Sequence, residues 1–337
     1  MKRGASGLSL VVGVNKPRGM SSHDVVNRCR RIFGEHRVGH TGTLDPLATG
    51  ALLVCVGPAT RLDAYLSGHD KHYRVRISFG ASTTTDDAAG EVVRTGAVPP
   101  DVLNDGFAAA FVAGLVGKHR QMPPAYSAIK VKGTKACDAA RKGVIIDLAP
   151  RDIHVYEAKL LSVNDADETG YPSWDVAFHV SKGTYIRSLA RDAGVAVGCP
   201  AHVGALERTR VGALQLDECV TLETLEQLRG RAALDPVELL GYRFSYAEGE
   251  REDAVRNGSP MAAGSLPLFE RRRGTAQAAL CACTGGVRES PEAPRDGEIV
   301  SVIVRNRLAA LYAYDEDRAL FRARCVFQTG VSRGSDI

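Results

Sequence analysis

Long apolar runs are missing from this chain: no stretch approaches the roughly 18 consecutive apolar residues that a membrane-spanning helix needs. Neither a membrane span nor a membrane partner is therefore expected. Cysteine is thinly spread. The eight (Cys29, Cys55, Cys137, Cys199, Cys219, Cys281, Cys283 and Cys325) are scattered along 337 residues. They form none of the CxxC pairs of zinc sites, and their density is too low for a disulfide scaffold. Cys281-Ala-Cys283 is a lone CxC in an alanine-rich stretch, a pattern of packing more than of ligation. This thiol usage points to the cytoplasm. Signatures for phosphate and metal are also missing. There is no GxGxxG, GxSxG or HExxH, and Gly114-Leu-Val-Gly117-Lys118 lacks the four-residue gap and the Ser or Thr of a P-loop. The nine histidines show no ligand spacing with cysteines or acids, which points away from a metal enzyme. No metal and no cofactor are expected.

What is present reads as an ordinary globular protein. Hydrophobic residues make up 44% and charged residues 24%, which excludes a wholly disordered chain, a collagen and a coiled coil. At roughly 150 residues per domain the length suggests about two domains, large enough to fold without staples. Met1-Lys2-Arg3 followed by Leu8–Val14 imitates a secretory signal, but Asn15-Lys16-Pro17 follows at once without a small-residue cleavage site. An opening β-strand is expected instead.

The formal net charge of +4 hides segregation. Residues 1–45 carry eight Lys or Arg against three acids, and residues 118–152 repeat that ratio. Such patches suit a polyanion partner, though they also fit the solvated faces of ordinary helices. Ser22-His-Asp-Val-Val-Asn-Arg-Cys-Arg-Arg-Ile-Phe-Gly34 has a helical apolar period and a glycine stop. Residues 72–80 alternate, with Tyr73, Val75, Ile77 and Phe79 on one face, and residues 173–181 do the same. Residues 185–197 read as a helix. Strands and helices mix without a βαβ rhythm, so the fold class is α+β. A polar stretch at 241–260 suggests a boundary between domains 1–241 and 242–337. Beyond it, strands at 299–304, 308–314 and 319–327 suggest a small β-barrel, interrupted by a loop-rich insertion at 270–297.

The most informative segment is Arg37-Val-Gly-His-Thr-Gly-Thr-Leu-Asp-Pro-Leu-Ala-Thr-Gly50. Pro46 biases Asp45 away from helix, and the glycines let backbone approach a ligand closely. Taken alone, the segment fits an ordinary tight turn equally well.

Residues 39–50 resemble the G-H-T-G-x-L-D-P-x-A-x-G catalytic motif of TruB-type tRNA pseudouridine(55) synthases. Other segments resemble that family in order: Lys16-Pro-Arg-Gly-Met-Ser-Ser22, Tyr73-Arg74-Val75, Thr85-Asp-Asp-Ala-Ala-Gly90, Gln121-Met-Pro-Pro-Ala-Tyr-Ser-Ala-Ile-Lys130, Ser181-Lys-Gly-Thr-Tyr-Ile-Arg187 and Ala201–Arg208. The resemblance spans roughly residues 10–240. It implies a pseudouridine synthase fold, a mixed and largely antiparallel sheet with flanking helices, followed by a PUA-like C-terminal barrel that resembles the family less closely. It also implies an RNA-binding thumb at about 118–143.

The implied activity isomerises one uridine in the tRNA T-arm to pseudouridine, by a monomer that needs no protein partner. Asp45 is the implied catalytic carboxylate, acting either as a nucleophile or as a proton acceptor. Arg187 pairs with it, and Tyr73 stacks on the uracil. His40 fills the space that the flipped base leaves, and Lys16 shapes the site. Thr43, Tyr185 and Leu206 join the substrate site, while Lys130 and Lys132 hold phosphates. Two alternatives remain at this level: a tRNA-binding folding factor with incidental activity, and a dyskerin-like subunit that needs a guide RNA.

Overall fold

The computed structural model describes residues 6–127, 129–131, 133–144, 146–271 and 286–334. Lys132, Cys281, Cys283 and the middle of the expected 270–297 insertion lie outside the described residues.

The central feature is a nine-stranded sheet. Its main path runs Leu10–Lys16, Thr49–Val56, Ala201–Val211, Lys71–Phe79, Ser173–Val180, Arg151–Asn164 and Gly117–Gln121. Neighbours on this path are antiparallel except one pair, Ala201–Val211 with Thr49–Val56, which is parallel. The expected mixed, largely antiparallel sheet is therefore present. Lys71–Phe79 lies at its middle because alternation lets one face bury Tyr73, Val75, Ile77 and Phe79.

The helix expected after residue 22 spans Ser22–Phe33. Ser21 and Asp24 form a capping box, and Gly34 at φ 61° closes the other end in the left-handed conformation that glycine adopts at little cost. Val25, Val26, Cys29, Ile32 and Phe33 are buried on one face. Each fully buried Val, Ile or Phe stabilises the fold by about 1.5–3 kcal/mol, so this face anchors the helix beside the loop at 41–48. A second helix, Ile186–Val197, packs on the strand Ala201–Val211.

The C-terminal residues form a seven-stranded, PUA-like sheet. Its order is Met261–Ala262, Leu320–Ser332, Arg307–Asp315, Ile299–Val304, Phe244–Tyr246, Phe269–Arg271 and Val287–Glu289. The two sheets share an apolar core. Val11, Leu53 and Leu214 from the first pack with Phe244, Leu308, Leu311 and Phe327 from the second. Among the described residues, no helix is long and apolar enough to cross a membrane.

Candidate active site

The loop that carries Asp45 is held from three sides. Ser22 Oγ accepts from the Leu44 backbone N–H at 2.8 Å and donates to the Leu44 carbonyl at 2.9 Å. Gly19 N–H donates to the Pro46 carbonyl at 2.7 Å. On the other side Arg208, only 1% exposed, donates from its guanidinium to the carbonyls of Ala51 (2.7 Å), Gly42 (3.1 Å) and Thr43 (3.4 Å). Gly50 lies so close that a Cβ there would sit 2.3 Å from the Arg208 carbonyl oxygen, so this position in the motif needs glycine. Side-chain clamps on a loop of this kind leave little freedom to the carboxylate between them.

Asp45 meets Arg187 across the cavity floor, with Arg187 Nε 2.8 Å from Asp45 Oδ2. Arg187 comes from the first turn of its helix and is 5% exposed. Its two other nitrogens donate to the carbonyls of Thr85 (2.8 Å) and Tyr126 (2.9 Å). A second carboxylate, Asp87, stands 3.9 Å from Arg187 Nε and accepts from Thr85 Oγ1 (2.6 Å) and Ala89 N–H (3.1 Å). One guanidinium thus ties the loops at 41–48, 85–89 and 122–127 together. Burial raises the Asp45 carboxyl above its ordinary value; Arg187 pulls it down and Asp87 adds to the rise.

The cavity above this pair measures about 270 Å³ and is walled by Leu44, Tyr73, Tyr185, Ile186 and Leu206, with Thr43 also on its lining. That is slightly below the usual range for ligand pockets, roughly 300–1,000 Å³, and suits a single nucleotide. Three cations line it: Arg187, Arg208 and Lys71. Lys71 donates to the carbonyls of Ser67 (3.2 Å) and His69, and burial lowers its pKa to about 8. A cavity with apolar side chains, one carboxylate and an excess of positive charge fits an uncharged base attached to a phosphate backbone.

Of the residues nominated from sequence, Asp45, Tyr73, Arg187, Thr43, Tyr185 and Leu206 all line this cavity. Lys16 does not. It is fully buried and donates to the carbonyls of Pro17 (2.9 Å) and Met20 (2.7 Å), and burial lowers its pKa to about 8. His40 also sits off the lining, where its Nδ1 accepts from Gly42 N–H at 3.3 Å. Burial and the Arg208 charge lower its pKa. Lys130 lies on a separate two-stranded hairpin, Lys130–Val131 with Thr134–Lys135, and is exposed. Lys132 lies outside the described residues.

Sequence reasoning placed Asp87 only as a carboxylate near Asp45, and gave no role to Ser22, Arg208 and Lys71. All four lie within or beside the quoted motifs, and position in those motifs was the one signal available. One expectation is corrected. Two histidines do gather with an acid, their donor atoms within 4.8 Å of one another, because sheet pairing brings His179 beside His72 and Asp70. No local spacing shows a partner more than 100 residues away.

The fold has known counterparts. An H/ACA ribonucleoprotein bound to a substrate RNA containing 2'-deoxyuridine aligns with a TM-score of 0.64 at 21% identity, over 96% of this chain and 86% of that one. An archaeal box H/ACA Nop10–Cbf5 complex aligns at 0.60 and 21%, over 97% and 87%. This is the pseudouridine synthase fold.

The family follows from sequence. Residues 30–186 match the TruB family pseudouridylate synthase N-terminal domain, and residues 187–240 match the tRNA pseudouridylate synthase B C-terminal domain. The tRNA pseudouridine synthase B of Mycobacterium sp. (strain KMS) is 43% identical over 257 residues, 76% of this chain and 85% of that protein. Its counterpart in Deinococcus radiodurans is 41% identical over 254 residues, 68% and 82%. The chain belongs to the TruB family.

Proposed function

We propose that this protein isomerises a uridine of tRNA to pseudouridine, acting on the T-arm loop at position 55 as a monomer with no guide RNA. The observation that carries the reading is the Asp45–Arg187 pair at 2.8 Å beneath a slot walled by Tyr73 and Leu206.

The reaction breaks the bond from the ribose anomeric carbon to uracil N1 and remakes it to C5, with the C5 proton leaving at the end and N1 taking up a proton. Atoms are conserved and no electrons are gained or lost. The target base leaves its stack at a cost of a few kcal/mol. It then packs against Tyr73 and Leu206. Asp45 meets the opening sugar either as a nucleophile at the anomeric carbon or as a proton acceptor, and Arg187 holds the carboxylate in line. The Tyr73 hydroxyl assists loss of the C5 proton. His40 occupies the space left in the RNA, and Lys16 holds the turn before the catalytic loop.

Binding comes from elsewhere on the surface. The hairpin bearing Lys130 belongs to the thumb at about 118–143, whose cations grip phosphates without reading sequence. The C-terminal sheet, domain 242–337, adds further RNA contact. The test is an isomerisation assay of purified protein on a bare T-arm stem-loop, with the modified position mapped. Conversion of one uridine there supports the reading; a requirement for a guide RNA or an accessory protein overturns it.

A further inference from the structure

On the sheet face opposite Tyr73, three side chains converge that the isomerisation does not use. His72 and His179 are direct cross-strand partners on Lys71–Phe79 and Ser173–Val180, which sets their Cβ atoms roughly 5 Å apart. Asp70 precedes His72 by two residues and joins it on that face. The three donor atoms all lie within 4.8 Å of one another. His179 Nε2 is hydrogen-bonded to Asp70, and the two imidazoles stack at 3.9 Å. We propose that Asp70, His72 and His179 form a binding site for a divalent transition metal, zinc being the best fit.

The chemistry of the donors selects the metal. Two imidazoles and one carboxylate suit zinc and its neighbours, whereas magnesium and calcium favour all-oxygen sets. Tetrahedral ligands at zinc distances of about 2.05 Å stand roughly 3.3 Å apart, so donors within 4.8 Å of one another need to close by at most about 1.5 Å. Their rings lie face to face, so ligation turns both about χ2 until the nitrogen edges converge. That torsion is broad and soft for histidine.

The surroundings favour a cation. Asp70 supplies one carboxylate to the cluster and is hydrogen-bonded to His179. Glu157, the cross-strand partner of His179, adds a second negative charge on this face. It offsets Arg210, the partner of His72 on the other side. Tyr156 packs on His179 with ring centroids 4.8 Å apart and covers one flank. The site clips two central strands together and leaves at least one coordination position for water or an anionic oxygen.

The experiment titrates zinc ions into the full-length apoprotein against a chromogenic chelator, with wild type, His72→Ala, His179→Gln and Asp70→Asn side by side. Zinc-edge absorption spectra are recorded on the loaded wild type. The expected result is one tight equivalent in wild type, weakened at least tenfold in each variant, with a spectrum of nitrogen and oxygen ligands. Thermal melts of the metal-free variants verify that they are folded, and His154→Ala serves as a nearby histidine control that keeps wild-type affinity. No stoichiometric binding, equal affinity in all variants, or a sulfur shell in the spectrum overturns the proposal.

Discussion

Replacing Asp45 with Asn isolates the carboxylate from everything else in the cavity. The substitution keeps size and shape but removes both the nucleophilic oxygen and the proton-accepting charge. Among the described residues, Asp87 is the only other carboxylate within 4 Å of Arg187, and its hydrogen bonds to Thr85 and Ala89 hold it away from the slot. Turnover should therefore fall by at least about 5 kcal/mol of barrier, with each 1.36 kcal/mol worth tenfold. The structural cost is much smaller. Arg187 loses one charged hydrogen bond, about 1.5–3 kcal/mol, but retains the Thr85 and Tyr126 carbonyls. A domain with 5–15 kcal/mol of stability tolerates that loss. RNA binding should be unchanged or slightly tighter, because removing a negative charge relieves repulsion from phosphate. Single-turnover assays with excess enzyme measure the chemistry, filter binding measures affinity, and a thermal melt verifies the fold. Conversion within a hundredfold of wild type would refute the assignment of Asp45.

Because burial raises the Asp45 carboxyl, the single-turnover rate should drop on acidification at a pH above the ordinary aspartate value of about 3.9. Asp87→Asn removes a negative neighbour and should move that acid limb to lower pH; a limb that does not move denies the coupling. Arg208→Met removes two well-formed bonds to the Ala51 and Gly42 carbonyls, so stability should fall by about 3–6 kcal/mol and the rate with it. A melt indistinguishable from wild type would show that the loop does not lean on this guanidinium. Lys130→Ala should flatten the slope of log affinity against log salt by up to about 0.9, and an unchanged slope places that lysine away from RNA. Chelation with EDTA should leave the rate on pre-folded RNA intact, since the histidine cluster lies across the sheet from Tyr73. Lost activity restored by one specific divalent ion would contradict this.

Much of the local structure was legible in the sequence because local rules govern it. The helix Ser22–Phe33 announces itself through its cap, its apolar period and Gly34. The strand Lys71–Phe79 does so through strict alternation, and Pro46 with the surrounding glycines marks an irregular loop around Asp45. The family resemblance added Tyr73 and Arg187, which no periodicity distinguishes from core and surface residues. Tertiary structure alone decided which groups meet. Arg187 contacts Asp45, Thr85 and Tyr126, from three loops separated by tens of residues, and Arg208 closes on carbonyls more than 150 residues away. His72 gained His179 as a neighbour only through strand register. The shared core of Leu53 and Phe327 likewise joins two sheets that composition had suggested keeping apart. Such contacts carry no local signature, since burial and pairing energies depend on which strands lie side by side and not on the spacing of residues along one of them.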